Sequence, residues 1–173
     1  MGLYARRPAY GRELRENYMR LGTLALGGAM AIGMALSAQA QSLVDGGQID
    51  EILNIARGYG AASLETQSNG DPKIAGKIEG VTYQVFFMNC TDNKDCEDLN
   101  FYAGFLDNKQ TLEAMNDWNR DKRFGKAYLD GDLDAVIEFD VNLVHGVTRK
   151  NLDAAFELWT LVLNQYATYI GFK

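Results

Sequence analysis

The chain has 173 residues, 17 basic and 23 acidic side chains, a formal net charge of −6 at neutral pH, one histidine and two cysteines. An acidic surface opposes binding to phosphate backbones and anionic membranes, which argues against nucleic acid as a partner. One histidine and one cysteine pair are too few ligands for a structural zinc site. G-x-S-x-G, P-loop and dinucleotide glycine patterns do not occur, so no catalytic residue, metal or cofactor is expected.

The amino end reads as a targeting segment. Residues 1–20 carry Arg6, Arg7, Arg12, Arg15 and Arg20 against Glu13 and Glu16, and Leu21 to Ser37 then run without a charge. Ala38-Gln39-Ala40 follows, with small residues at the two positions a signal peptidase reads. The apolar run is shorter than the roughly 20 residues a membrane span requires, and Gly22, Gly27, Gly28 and Gly33 dilute it. The expectation is a signal peptide over 1–40 cleaved after Ala40, with Met19 as the true start and no membrane insertion afterwards. Cleavage would remove five basic and two acidic residues, moving the net charge from −6 to −9. What remains is the size of one domain with its own core, preceded by a short flexible linker at 41–47.

From Gln48 the elements follow in order. Ile49, Ile52, Leu53 and Ala56 share one helical face, and Gly58 or Gly60 ends that helix. Strands are expected at 61–67, 73–78 and 81–89, the last two joined by Glu79-Gly80 as a tight hairpin. Cys90 and Cys96 enclose five polar residues. In an exported chain such a pair forms a disulfide, and closing the seven-residue ring stabilises by about 2.4 kcal/mol on the chain-entropy estimate. The loop returns the chain into a strand at 99–105. Thr111 caps a helix to Asp121, and 124–129 with 134–141 make a second hairpin around "DGDL". The alternating Asp130, Asp132 and Asp134 suggest calcium. An EF-hand loop from Asp130, however, needs glycine sixth and glutamate twelfth, where Ala135 and Val141 stand, so turn chemistry is preferred. The last helix starts near Thr148, with Leu152, Phe156, Trp159, Leu163, Tyr166 and Ile170 as its core stripe. Leu158, Leu161 and Tyr169 fall outside that stripe and are a candidate interface, including for a homodimer. Helix, three or four strands, helix, two strands, helix is the order of an α+β domain.

Few side chains invite chemistry. Glu138 and Asp140 share a strand face but lack a nucleophile or metal cluster beside them, so a solvated face is preferred. His145 sits in a turn before the last helix and reads as surface. "NRDKRFGK" gathers Arg120, Lys122, Arg123 and Lys126, which could receive an acidic partner or a small anion, although a solvated helix end with local ion pairs is preferred.

"MNDWNRDKRFGKAYLDGDLDAVIEFDVNL" at 115–143, followed by a helix containing "LWTLVL", resembles the YbjN domain family of bacterial sensory transduction regulators. The likeness begins at Gln48 and passes through "VTYQVFFMNC" and "LNFYAGF" to Gly171, so the YbjN-like domain is placed at 48–173. The resemblance implies a fold like that of type III secretion chaperones, a bent antiparallel sheet of five to six strands flanked by three helices, often dimeric. It carries over no catalytic residue. Positions matching its signature are Asn116, Trp118, Asn119, Arg120, Phe124, Gly125, Tyr128 and Asp140, read as structural. Asn116 and Asn119 are expected to bond main-chain groups at the helix-to-strand turn.

Together these readings describe an exported, non-enzymatic binding or chaperone-like domain of the bacterial envelope, periplasmic or secreted. Its regulatory role would be exerted on another protein or peptide through the sheet face or last helix. The alternatives are a periplasmic small-ligand sensor and, without export, a cytoplasmic sensory transduction regulator. A hydrolase acting through Glu138, Asp140 or His145 is the remaining reading.

Overall fold

The computed structural model describes residues 42–173. The expected signal peptide, the start at Met19 and the cleavage after Ala40 lie outside the described residues. The chain runs β1 (Leu43–Val44), α1 (Ile49–Arg57), β2 (Ala61–Thr66), β3 (Pro72–Ile78), β4 (Val81–Met88) and β5 (Asp98–Lys109). It continues through α2 (Leu112–Asp121), β6 (Lys126–Leu129), β7 (Asp134–Asn142), β8 (Val147–Thr148) and α3 (Arg149–Tyr169).

The six longer strands form one antiparallel sheet in the order β2-β3-β4-β5-β7-β6, and β1 pairs with β8 as a separate two-stranded ladder. This is the α+β architecture expected, with three helices and a six-stranded sheet. Local chemistry explains the turns. Glu79 and Gly80 both take positive φ, 47° and 88°, as a two-residue hairpin turn matched to strand twist requires. Thr111 Oγ1 accepts from Ala114 N–H at 3.1 Å and caps α2. Thr148 Oγ1 does the same for α3 with Asn151 N–H at 3.2 Å.

One sheet face carries the core. Val81, Tyr83, Val85 and Phe87 of β4 alternate with exposed or half-buried residues, as do Leu99, Phe101, Ala103 and Phe105 of β5. Against them α3 buries Leu152, Phe156, Trp159, Leu163 and Tyr166 of its expected stripe, with Val162 and Ala167 beside them, and Ile170 is buried just past its end. Phe101 meets Phe156 edge-on at 4.8 Å between centroids and Trp159 at 5.6 Å. Each such ring contributes about 2–3 kcal/mol by leaving water, so α3 is the element on which the sheet rests. α1 adds Ile52, Leu53, Ile55 and Ala56, and Arg149 Nε holds Glu51 Oε1 at 2.6 Å where α1 and α3 meet.

Two features depart from the sequence reading, and a third, the sheet order, lies beyond it. The 41–47 stretch, expected as a linker, holds β1, and Val44 is buried against the core. β5 extends to Lys109, past the expected end at 105. Between Phe105↔Ala135 and Lys109↔Asp134 the register slips, so Leu106 to Asn108 bulge outward. β6 lies at the sheet edge while β7 sits between it and β5.

Candidate functional site

The core-facing residues of the sheet leave the alternate positions on an outer face, and among the described residues no helix covers it. Cross-strand pairs organise that face. Gln84, Tyr102, Glu138 and Lys126 lie in one row, Phe86, Asn100 and Asp140 in the next, Met88, Asp98 and Asn142 in a third. Phe86 meets the Tyr102 ring edge-on at 5.8 Å. Around these apolar groups runs a network of amides and carboxylates. Asn100 Nδ2 donates to Asp140 Oδ1 at 2.8 Å. Asn89 and Asn142 each donate to one oxygen of Asp98, also at 2.8 Å. Tyr128 Oη–H donates to Glu138 Oε1 at 2.7 Å, and Lys126 Nζ meets Glu138 Oε2 at 2.7 Å. Burial and the bond to Glu138 push the Tyr128 hydroxyl well above its ordinary pKa.

A hollow of about 370 Å³ opens here, lined by Met88, Asn89, Asp98, Asn100, Glu138 and Asp140. Its carboxylates are already engaged by amides, a phenol and an ammonium. No group of three or more histidine, cysteine or acidic side chains able to hold a metal is found among the described residues. Glu138 and Asp140 are therefore parts of a cross-strand network; Asp140 is exposed, whereas the Glu138 side chain is 16% exposed and held by Tyr128 and Lys126. His145 lies in the turn before β8 and lines a different hollow, with Asp45, Asp95 and Cys96. The three residues considered for hydrolysis are not assembled in one pocket.

The signature segment has a structural purpose at the β6 edge. Asn119 Nδ2 donates to Ala127 O at 2.9 Å, and Ala127 N–H donates to Asn119 Oδ1 at 2.8 Å. Two residues before Ala127, the Gly125 carbonyl accepts from Trp118 Nε1 at 3.2 Å. In an antiparallel ladder alternate residues turn their main-chain groups away from the neighbour strand. Asp130 N–H pairs with Asp134 O, so in this register it is the odd-numbered residues of β6 that face outward. Of these, Ala127 is met on both main-chain groups by Asn119, and the Gly125 carbonyl just before the strand is met by Trp118, so α2 occupies the first part of this edge, where a further strand would otherwise bind. Trp118, Asn119 and Gly125 thus act together to close that part of the sheet edge.

The other signature residues are dispersed. Asn116 is exposed, and no hydrogen bond of its side chain is found among the described residues, unlike the expectation shared with Asn119. Arg120 is held by Asp117 at 2.7 Å and Asp121 at 2.9 Å, which raises its pKa. The Arg123 guanidinium lies 5.2 Å from the centre of the half-exposed Phe124 ring. Tyr128 and Asp140 belong to the outer-face network. Asp130, singled out for turn chemistry, accepts from the N–H of Asp132 and of Asp134 at 2.9 Å each.

Of the three candidate interface residues, Leu158 packs partly against the core and Leu161 is 54% exposed. Tyr169 lies 5.3 Å from Trp118 and donates its hydroxyl to Ala114 O at 2.9 Å. The Cys90–Cys96 disulfide is formed and links the end of β4 to the start of β5. Asn89, Asp92, Asn93 and Asp95 take positive φ in this connection, a conformation that asparagine and aspartate tolerate best among side-chain-bearing residues. Sequence reasoning missed the open outer edge of β2, because Ala61–Thr66 reads like any short strand.

No helix among the described residues is long and apolar enough to cross a membrane. An open antiparallel sheet, backed by helices on one face and with one edge partly closed by its most specific segment, defines an α+β domain with an accessible sheet surface. The family model YbjN, described as "Putative bacterial sensory transduction regulator", matches residues 48–172. The chain belongs to that family, whose description is of a regulator and not of an enzyme. No curated protein matches the chain.

Proposed function

We propose that this chain is an exported, non-enzymatic binding domain of the bacterial envelope that regulates by contact with another protein or peptide. The observation that carries the reading is the uncovered outer face, where Phe86, Met88 and Tyr102 stand among amides and carboxylates. Aromatic residues and methionine inside a polar rim are the composition of a recognition surface. Export is supported by the basic segment, the uncharged stretch and Ala38-Gln39-Ala40, and by a disulfide of the kind that persists in oxidising compartments.

The reading is tested in two steps. Intact mass of the protein from the envelope fraction is expected to begin at Gln41 and to be two hydrogens lighter than the reduced chain. A full-length, reduced species in the cytosol overturns export and returns the chain to cytoplasmic regulation. A photo-crosslinking residue at Phe86 or Tyr102 is expected to capture one defined partner in living cells. Capture that is unchanged with the crosslinker moved to exposed Lys150 overturns the sheet-face assignment.

A further inference from the structure

The two edges of the sheet are treated differently, and the difference points to a docking site. At β6, α2 occupies both main-chain groups of Ala127 and the Gly125 carbonyl. At β2 no strand follows. Arg57 Nε reaches Ala62 O at 3.3 Å, and Gln67 N–H donates to Asp71 O, so the even-numbered residues of β2 direct their main chain outward. Leu64 and Thr66 therefore offer N–H and C=O groups to an incoming strand. Exposed edges are commonly blunted by lysine, proline or a bulge. β2 reads Ala-Ala-Ser-Leu-Glu-Thr, its register with β3 is unbroken from 61 to 66, and its one charge, Glu65, is held by Lys73 at 3.2 Å.

Beside this edge lies a hollow of about 670 Å³, lined in part by Leu43, Ile49, Leu64, Asp50, Glu51 and Arg149. Leu43 is 49% and Leu64 45% exposed. Leu64 is paired with the fully buried Ile74, so its side chain lies on the helix-covered face. A residue added opposite Leu64 would point to the same face, over the hollow.

We propose that the free edge of β2 receives an extended peptide segment of another protein as a seventh strand. One apolar side chain of that segment enters the hollow beside Leu43 and Leu64, and lysine or arginine residues flank it. The proposal rests on the reading of the chain as a binding domain and names how it binds. Charge selects this occupant over a second copy. The hollow carries the carboxylates of Asp50 and Glu51 against the one cation of Arg149, which Glu51 already engages at 2.6 Å, so a second copy of this acidic chain would add like charge there. A basic strand meets those same carboxylates favourably.

The probe is a fluorescent eight-residue peptide alternating valine and leucine with lysine and threonine, titrated into the purified protein by anisotropy. Binding is expected. It should weaken roughly tenfold when one residue facing β2 is N-methylated, the effect of losing one main-chain hydrogen bond. It should weaken similarly when glutamate replaces lysine, and in Leu64→Pro, which removes an outward N–H while sparing the ladder to β3. If circular dichroism finds Leu64→Pro unfolded, Leu64→Lys takes its place. Amide exchange at Leu64 and Thr66 should slow in the complex. No binding up to millimolar peptide, or equal binding of the N-methylated peptide, overturns the proposal. So does a dimer in sedimentation that Leu64→Pro splits into monomers, since that gives the edge to a second copy. If the peptide fails while the crosslinker at Phe86 still captures a partner, the edge proposal falls and the binding-domain reading stands.

Discussion

The Asn119 amide bonds both main-chain groups of Ala127, donating at 2.9 Å and accepting at 2.8 Å, and so serves as a one-residue strand at the end of the sheet. Asn119→Ala removes two hydrogen bonds worth about 1 kcal/mol each, so a loss of about 2 kcal/mol is expected in urea unfolding, with the slope unchanged. The Ala127 amide should exchange faster. Asn119→Asp keeps the acceptor and loses the donor, and belongs between the two. Wild-type stability in the alanine variant would mean that the edge is held by Trp118 alone.

Gly125 tests the same device from the strand side. Its φ is +79°, and a Cβ there would stand 2.7 Å from Val162 Cγ1 and 2.9 Å from Ile137 Cδ1. Both neighbours belong to the core, so neither yields freely. Gly125→Ala is expected to cost about 1–3 kcal/mol through backbone strain and overpacking together. A thermal midpoint within a degree of wild type would show that the turn relaxes around the methyl group.

Much of this fold was legible because local chemistry and global packing agree. The α3 stripe from Leu152 to Ile170 is buried throughout, Thr111 and Thr148 cap their helices, and Glu79-Gly80 turns as its φ requirement predicts. Sheet order was less accessible. β7 pairs with β5 across the whole of α2 and β6, and nothing in the local pattern of Asp134 to Asn142 says which strand lies on its far side. The bulge at Leu106 to Asn108 and the pairing of Leu43 with Thr148 also depend on distant contacts. At the site, Asn119 was read correctly as a main-chain partner and Asn116 was not. On α2 the two differ by three positions, and only one of them reaches Ala127.

Two buried tyrosines make opposite predictions. Tyr83 is 1% exposed and its hydroxyl finds no hydrogen-bond partner among the described residues, whereas the Tyr166 hydroxyl donates to Val136 O at 3.1 Å. Tyr83→Phe removes a buried polar atom and is expected to be neutral or to stabilise, by up to about 1 kcal/mol. Tyr166→Phe removes that bond while Val136 O keeps its ladder partner on β6, and is expected to cost about 0.5–1.5 kcal/mol. Burial pushes the Tyr83 hydroxyl up to about 12 and raises that of Tyr166 as well. Raised values mean that the stability linked to both is complete below about pH 10, the unfolded value, and is lost as pH rises beyond it. Tyrosinate absorbance should accordingly show both ionising together with unfolding. Ionisation of every tyrosine near pH 10 in a folded chain would contradict this.

Asp134 predicts the acid limb. It is 4% exposed at the start of β7, where Lys109 Nζ meets its Oδ1 at 2.9 Å. The Lys109 ammonium outweighs the opposing effect of burial and holds the carboxyl below its ordinary range. A depressed folded pKa contributes stability that is present above the unfolded value, about 3.9, and is lost as pH falls through the folded value. Asp134→Asn should therefore lower the urea midpoint at pH 7 and flatten its decline between about pH 4 and pH 2 relative to wild type. Lys109→Met leaves the carboxylate buried without its cation. It should destabilise at neutral pH and move the onset of acid unfolding to higher pH, as buried carboxylates without partners do. Parallel acid limbs in all three proteins would mean that other carboxylates govern acid unfolding and that the Lys109 pair contributes nothing measurable.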